Sequence, residues 1–203
     1  MPLFREKTSI TKRIKEAIRP TPLRQRIVSS LFKIRVQTRK LEKKSYELQE
    51  RDRSIYEKCV SALQSKNMSL AAIYASECAE IRKMAKIMLY SQLALEQVAL
   101  RLETVQQFGD IAYTMKPVAS IVSTIKSQLQ NVLPEISLEL AEVDESLQTV
   151  VLEVGEATEQ SFDMSASSQE SQKILSEASI VAEQKMKERF PEMPSIPTSE
   201  ARL

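Results

Sequence analysis

From Leu23 to Ala62 the apolar residues step by four and three: Leu23, Ile27, Leu31, Ile34, Leu41, Leu48, Ile55, Cys59 and Ala62. Thr38, Ser45 and Asp52 hold the remaining positions of the same series. A seam of this period, sustained over about five heptads, commits the segment to one long helix laid against another. Pro20 and Pro22 restrict the residues before them, so the spacing predicts a helix over about 21–65. Lys66-Asn67-Met68-Ser69 reads as a turn, with Ser69 placed to cap the next helix. That second helix covers about 70–107, with a seam of Leu70, Ile73, Glu77, Ile81, Met84, Met88, Ser91, Leu95, Val98, Leu102 and Val105. Leu89, Leu93 and Leu100 form another apolar stripe on it. A helix apolar on more than one face needs more than one partner. The hairpin is too thin to bury these stripes alone, so later helices or another copy must cover them.

The rest of the chain reads as shorter helices. Gly109-Asp110 and Pro117 weaken or end the second helix, and further helices are expected at about 118–131 and 134–154, with Gly155 as a stop. The domain plan is therefore a short segment 1–18, a helical core 20–155, a polar Ser-rich linker 156–170, a short helix 171–189 and a tail 190–203. Only 2 glycines and no tryptophan occur in 203 residues, which excludes a sandwich or barrel with many tight turns. The fold class is all-α: a long helical hairpin followed by shorter helices and a flexible C-terminal tail.

Charge is polarised along the chain. Residues 1–51 hold 15 Lys/Arg and 5 Asp/Glu, whereas residues 117–203 hold 6 and 15. A basic front and an acidic back suit an anionic partner surface at one end and folding of the back onto the front at the other. Opposed charges of this size describe a latch: closed when the acidic half covers the basic hairpin, open when it is released. Chemistry is poorly served. Histidine is absent, which removes Ser-His-Asp and Cys-His catalysis and His-ligated zinc. There is no glycine-rich phosphate loop. No catalytic residue, metal site or cofactor is expected. Cys59 and Cys78 lie symmetrically about the turn on apolar seams and read as two small buried hydrophobes, with a disulfide left open. The basic residues of the first helix are spread around it with few stacking aromatics, so no nucleic-acid site is expected.

Two terminal segments carry more specific signals. In residues 1–18, Leu3, Ile10, Ile14 and Ala17 share a helical stripe, with Phe4 beside it and Arg5, Lys7, Lys12, Arg13 and Lys15 flanking it. A basic amphipathic helix of this kind can lie in an anionic lipid interface, with Leu3 and Phe4 as the apolar wedge; the competing expectation is a disordered basic tail or a helix packed on the bundle. No stretch approaches the ~18 apolar residues of a membrane span, and no signal-peptide core is present, which points to a cytoplasmic protein. At the other end, Phe190-Pro191-Glu192-Met193-Pro194-Ser195-Ile196-Pro197 places an apolar residue before each proline. Proline favours polyproline II, so Phe190, Met193 and Ile196, three apart, line one edge of an extended peptide suited to a groove between helices.

The turn segment Lys66-Asn-Met-Ser-Leu-Ala-Ala-Ile-Tyr-Ala-Ser-Glu77, followed by Ile81-Arg82-Lys83, resembles the hairpin turn of the ESCRT-III superfamily. The order of parts is similar too: basic hairpin, shorter helices, acidic linker, terminal motif. The chain looks most like the archaeal CdvB-type cell-division members, without a C-terminal winged helix, since nothing after Pro197 forms one. The resemblance implies a non-enzymatic subunit that self-assembles, alone or with paralogues, into filaments on the inner face of the cell membrane at the division site. It also implies remodelling by an AAA-type ATPase whose MIT domain grips Phe190, Pro191, Met193, Pro194, Ile196 and Pro197. The competing expectation is a cytosolic coiled-coil scaffold that never touches lipid.

Overall fold

The computed structural model describes residues 22–108, 111–158 and 164–194. Among them are five helices and no strand: α1 Leu23–Gln64, α2 Met68–Phe108, α3 Ile111–Leu129, α4 Pro134–Thr158 and α5 Met164–Arg189. The amphipathic segment with Leu3, Phe4, Arg5, Lys7, Ile10, Lys12, Arg13, Ile14 and Lys15 lies outside the described residues, as do Ile196 and Pro197.

The seam of α1 closes as its period demands. Ile27, Leu31, Ile34, Leu41, Ile55, Cys59 and Ala62 are buried, and so are Ser45 and Asp52 in the same series. Backbone amides of Lys66 and Asn67 bond back to the carbonyls of Leu63 and Ala62, closing a Schellman turn with Lys66 at φ 55°. The cap of α2 is Asn67 rather than Ser69: its Oδ1 accepts the Leu70 amide at 3.1 Å. Helix α2 starts at Met68, so Ser69 already lies inside it. The first turns of the α2 seam differ from the heptad reading. Leu70 and Ile73 are exposed, and Ala71 and Cys78 face α1 instead.

Beyond the hairpin the chain folds back. Ile27, Leu31, Ile34 and Leu41 of α1 share one core with Met88, Leu95, Val98 and Leu102 of α2. Ile121 and Ile125 of α3, Leu140 and Leu147 of α4, and Ile174 and Ala178 of α5 complete it. Each fully buried Leu or Ile contributes about 1.5–3 kcal/mol. Leu89 is buried, Leu93 is half-buried against this core, and Leu100 stays exposed. Much of the second stripe is thus covered within one chain: of the two covers expected, the later helices supply this one, and a second copy is not needed to bury it.

Three boundaries also shift. Pro117 lies inside α3, buried between Met115 and Val118, because the packing of Met115, Val118, Ile121 and Val122 outweighs one lost backbone bond. Helix α4 runs through Gly155 to Thr158. Helix α5 begins at Met164 and takes in residues 164–170 of the expected linker. Its early turns are tied down by an Arg101–Glu170 ion pair and by buried Ser171, whose hydroxyl bonds to the Ser168 carbonyl.

Candidate functional site

The far half of the hairpin, toward Asn67, has a thinner core. Ile55, Cys78 and Ile81 form one cluster, and Cys59, Ala62 and Ala71 another. Two side chains pack on both clusters, Tyr74 of α2 and, from outside the hairpin, Met193. Met193 comes from the peptide that leaves α5 and runs into the α1–α2 groove. The α5 helix closes with a bond from the Phe190 amide to the Met186 carbonyl, after which residues 191–194 take no regular secondary structure. Proline at 191 and 194 cannot continue the helix.

The groove receives the peptide through Arg82. Its Nε and Nη2 donate to Oδ1 and Oδ2 of Asp52 at 2.8 and 2.9 Å, a two-pronged pair that fixes the guanidinium plane. The remaining nitrogen, Nη1, donates to the Pro191 carbonyl at 2.7 Å. The guanidinium carbon lies 5.6 Å from the Phe190 ring centroid and 6.0 Å from that of Tyr56, within cation–π range of both. Asp52 and Arg82 side chains are only 2% and 16% exposed, so this is a desolvated pair whose partners matter. Phe190 is buried, Met193 and Pro194 are half-buried, and Pro191 presents its carbonyl inward with its ring exposed.

Four residues expected to take a helical groove, Phe190, Pro191, Met193 and Pro194, are therefore brought together at such a groove, formed by the chain itself. Their receptor was less visible. Asp52 reads as a polar position diluting an apolar seam, and Arg82 enters only within the Ile81-Arg82-Lys83 step of the family resemblance, with no partner assigned to it. The available signal was symmetry: both lie fifteen residues from Asn67, so an antiparallel hairpin brings them to the same level. The two cysteines sit beside this site, both free and buried. Cys59 Sγ points to the Ala71 carbonyl at 3.4 Å and Cys78 Sγ to the Asp52 carbonyl at 3.9 Å. Burial, helped by the Asp52 charge, pushes the Cys78 thiol up to about 11, so it stays protonated and inert.

The acidic half meets the basic half at further points. Arg26 pairs with Glu153 and Lys33 with Glu142, tying α1 to α4. Lys86 pairs with Glu183, tying α2 to α5. Among the described residues no group of three or more His, Cys, Asp or Glu side chains is placed to hold a metal ion. None of the described helices is long and apolar enough to cross a membrane.

A long helical hairpin, covered by its own shorter helices and clasping its own C-terminal peptide, defines the class as an all-α hairpin protein with a self-docked tail. Two relatives, both from Sulfolobus acidocaldarius, make the family specific. The chain is 45% identical to Cell division protein B1 over 174 residues, 86% of this chain and 81% of the relative. It is 32% identical to Cell division protein B over 180 residues, 89% of this chain and 69% of the relative. The chain belongs to the CdvB-type family of archaeal cell-division proteins. No family model matches it. No solved structure matches it either.

Proposed function

We propose that this chain works in cell division as a non-enzymatic subunit that polymerises on the inner face of the cell membrane and that an AAA-type ATPase remodels. Residues 1–18, with Leu3 and Phe4 as wedge and Arg5, Lys7, Lys12, Arg13 and Lys15 as headgroup contacts, anchor it to anionic lipid. Its relatives of the same family support the cell-division role, and two paralogues in one organism support assembly with related chains. The tail 190–197 is the segment offered to the ATPase's MIT domain. The single observation that carries this reading is the seating of Phe190 and Met193 between α1 and α2. It supports a peptide shaped for a groove between helices, held by the hairpin until a partner takes it.

Sedimentation with vesicles tests the membrane role. The full chain pellets with anionic vesicles, pellets less as salt rises, and fails to pellet when residues 1–18 are deleted. Pelleting that ignores both lipid charge and those residues refutes the anchor. Titration of the full chain against the MIT domain tests the tail. Binding lost on changing Met193 and Ile196 to Asp supports it, and binding indifferent to that change removes it. Negative-stain images with anionic vesicles separate a polymer from a cytosolic scaffold: filaments or coated tubes against discrete particles.

A further inference from the structure

Helix α1 carries a stripe that none of the described residues of its own chain covers. Phe32, Arg39 and Tyr46 are spaced seven apart, so they stack on one face over about 21 Å. Phe32 is 69% and Tyr46 is 62% exposed, high for aromatic side chains, and Arg39 between them is exposed with no ion pair among the described residues. Helix α4 carries the matching pattern. Leu138, Glu145 and Leu152 are also seven apart, with Leu138 at 72% and Leu152 at 67% exposed. Glu145 between them is exposed and likewise makes no ion pair among the described residues.

The two stripes cannot meet within one molecule. The side of α1 that faces its own α4 is the one bearing Arg26, Ser30 and Lys33, paired with Glu153, Ser146 and Glu142. Phe32, Arg39 and Tyr46 lie across the helix from those positions, and Leu138, Glu145 and Leu152 lie opposite the buried Leu140, Val143 and Leu147. We propose that the α1 stripe of one copy docks on the α4 stripe of a second copy, with Arg39 against Glu145 and an aromatic against a leucine on either side. The equal spacing makes this fit for either crossing direction. The charge decides the partner: an acidic stripe does not approach anionic lipid, and opposite central charges favour α1–α4 contact over α1–α1 or α4–α4. Because the two surfaces differ, the contact is heterologous. Every added copy leaves one stripe of each kind free, so assembly grows instead of closing. The inference rests on the assembly reading above and names its contact.

Charge reversal tests it on the full chain with anionic vesicles. Arg39→Glu and Glu145→Arg each raise the protein concentration needed for assembly roughly tenfold. The double variant, with both charges exchanged, assembles near the wild-type concentration. All three keep wild-type thermal unfolding, since both sites are exposed. Cysteines at 32 in one copy and at 138 or 152 in another then form mixed cross-links, and the buried native thiols do not compete. If single variants assemble like wild type, or the double variant is as poor as the singles, the interface is wrong while the assembly reading stands. Cross-links only between two copies of Phe32→Cys overturn it in favour of an α1–α1 contact. Arg39→Glu that loses vesicle binding while Glu145→Arg assembles normally overturns it in favour of a lipid surface. A wild-type chain that never assembles overturns both readings.

Discussion

Asp52 and Arg82, fifteen residues either side of Asn67, meet in a two-pronged ion pair at 2.8 and 2.9 Å, and the third arm of the same guanidinium holds the Pro191 carbonyl. The pair links hairpin stability to tail docking through one side chain. Arg82→Ala leaves the Asp52 carboxylate buried without a partner and lowers stability by about 3–5 kcal/mol, read from the urea midpoint. Replacing both, Asp52→Leu with Arg82→Met, restores most of that loss because no charge is stranded. The double variant still lacks the donor to Pro191 and the cation between Tyr56 and Phe190. It therefore keeps its helices and loses its grip on the tail. Equal instability of the single and double variants would contradict this account.

The thiols report the tail directly. Met193 lies over the clusters that contain Cys59 and Cys78, and burial raises the Cys78 thiol to about 11. Phe190→Ala combined with Met193→Asp is expected to speed thiol labelling at pH 8 by at least roughly tenfold, with helix content unchanged. A thiol whose folded value is raised favours the fold while protonated. Its contribution is therefore complete below the ordinary thiol range and is lost as the pH rises through about 11. Labelling rates identical in wild type and variant would show that the tail does not cover the site.

Much of the fold follows from periodicity, because the α1 seam and the α4 stripe of Ile136, Leu140, Val143, Leu147 and Val150 are long amphipathic patterns with one answer. The misread points are those where tertiary packing overrides a local signal. Pro117 is a helix breaker by itself, yet it sits in α3 because its neighbours are buried on two sides. The segment 164–170 is polar enough to read as a linker, and it becomes helix where α2 supplies Arg101 to Glu170. At the site, the docking peptide is legible because proline spacing is a local property. Its receptor is not, since Asp52 and Arg82 acquire meaning only when the hairpin brings them together.

The turn makes a local prediction. Asn67 caps α2 through the Leu70 amide, so Asn67→Ala costs about 1 kcal/mol in thermal or urea unfolding. Ser69→Ala, one residue inside the helix, leaves stability within about 0.5 kcal/mol of wild type. Lys66 holds a positive φ of 55° at the position where glycine is favoured, so Lys66→Gly relieves backbone strain. Its net gain is about 1 kcal/mol or less, because glycine also loosens the unfolded chain. Ser69→Ala costing more than Asn67→Ala would return the cap to Ser69.

Acid should loosen the covering helices before the hairpin. Glu142, on α4, is held below the usual 4.5 of a glutamate by its bond to Lys33 of α1. Glu183, on α5, is held down in the same way by Lys86 of α2. A carboxylate depressed in the fold stabilises it above its ordinary range, and that contribution is lost as the pH falls through the folded value. Both pairs are exposed, so each is weak and screened by salt, with a Debye length of about 10 Å at 0.1 M and about 3 Å at 1 M. Hydrogen exchange followed from pH 7 to pH 3 should therefore show α4 and α5 amides gaining exchange, after correction for intrinsic rates, ahead of the α1 and α2 amides near Asp52 and Arg82. Lys86→Glu should reproduce the effect in α5 alone at neutral pH, and 1 M salt should partly reproduce it in wild type. Uniform loss of protection along all five helices would mean that the chain opens as one unit and that these contacts do not hold a separable cover.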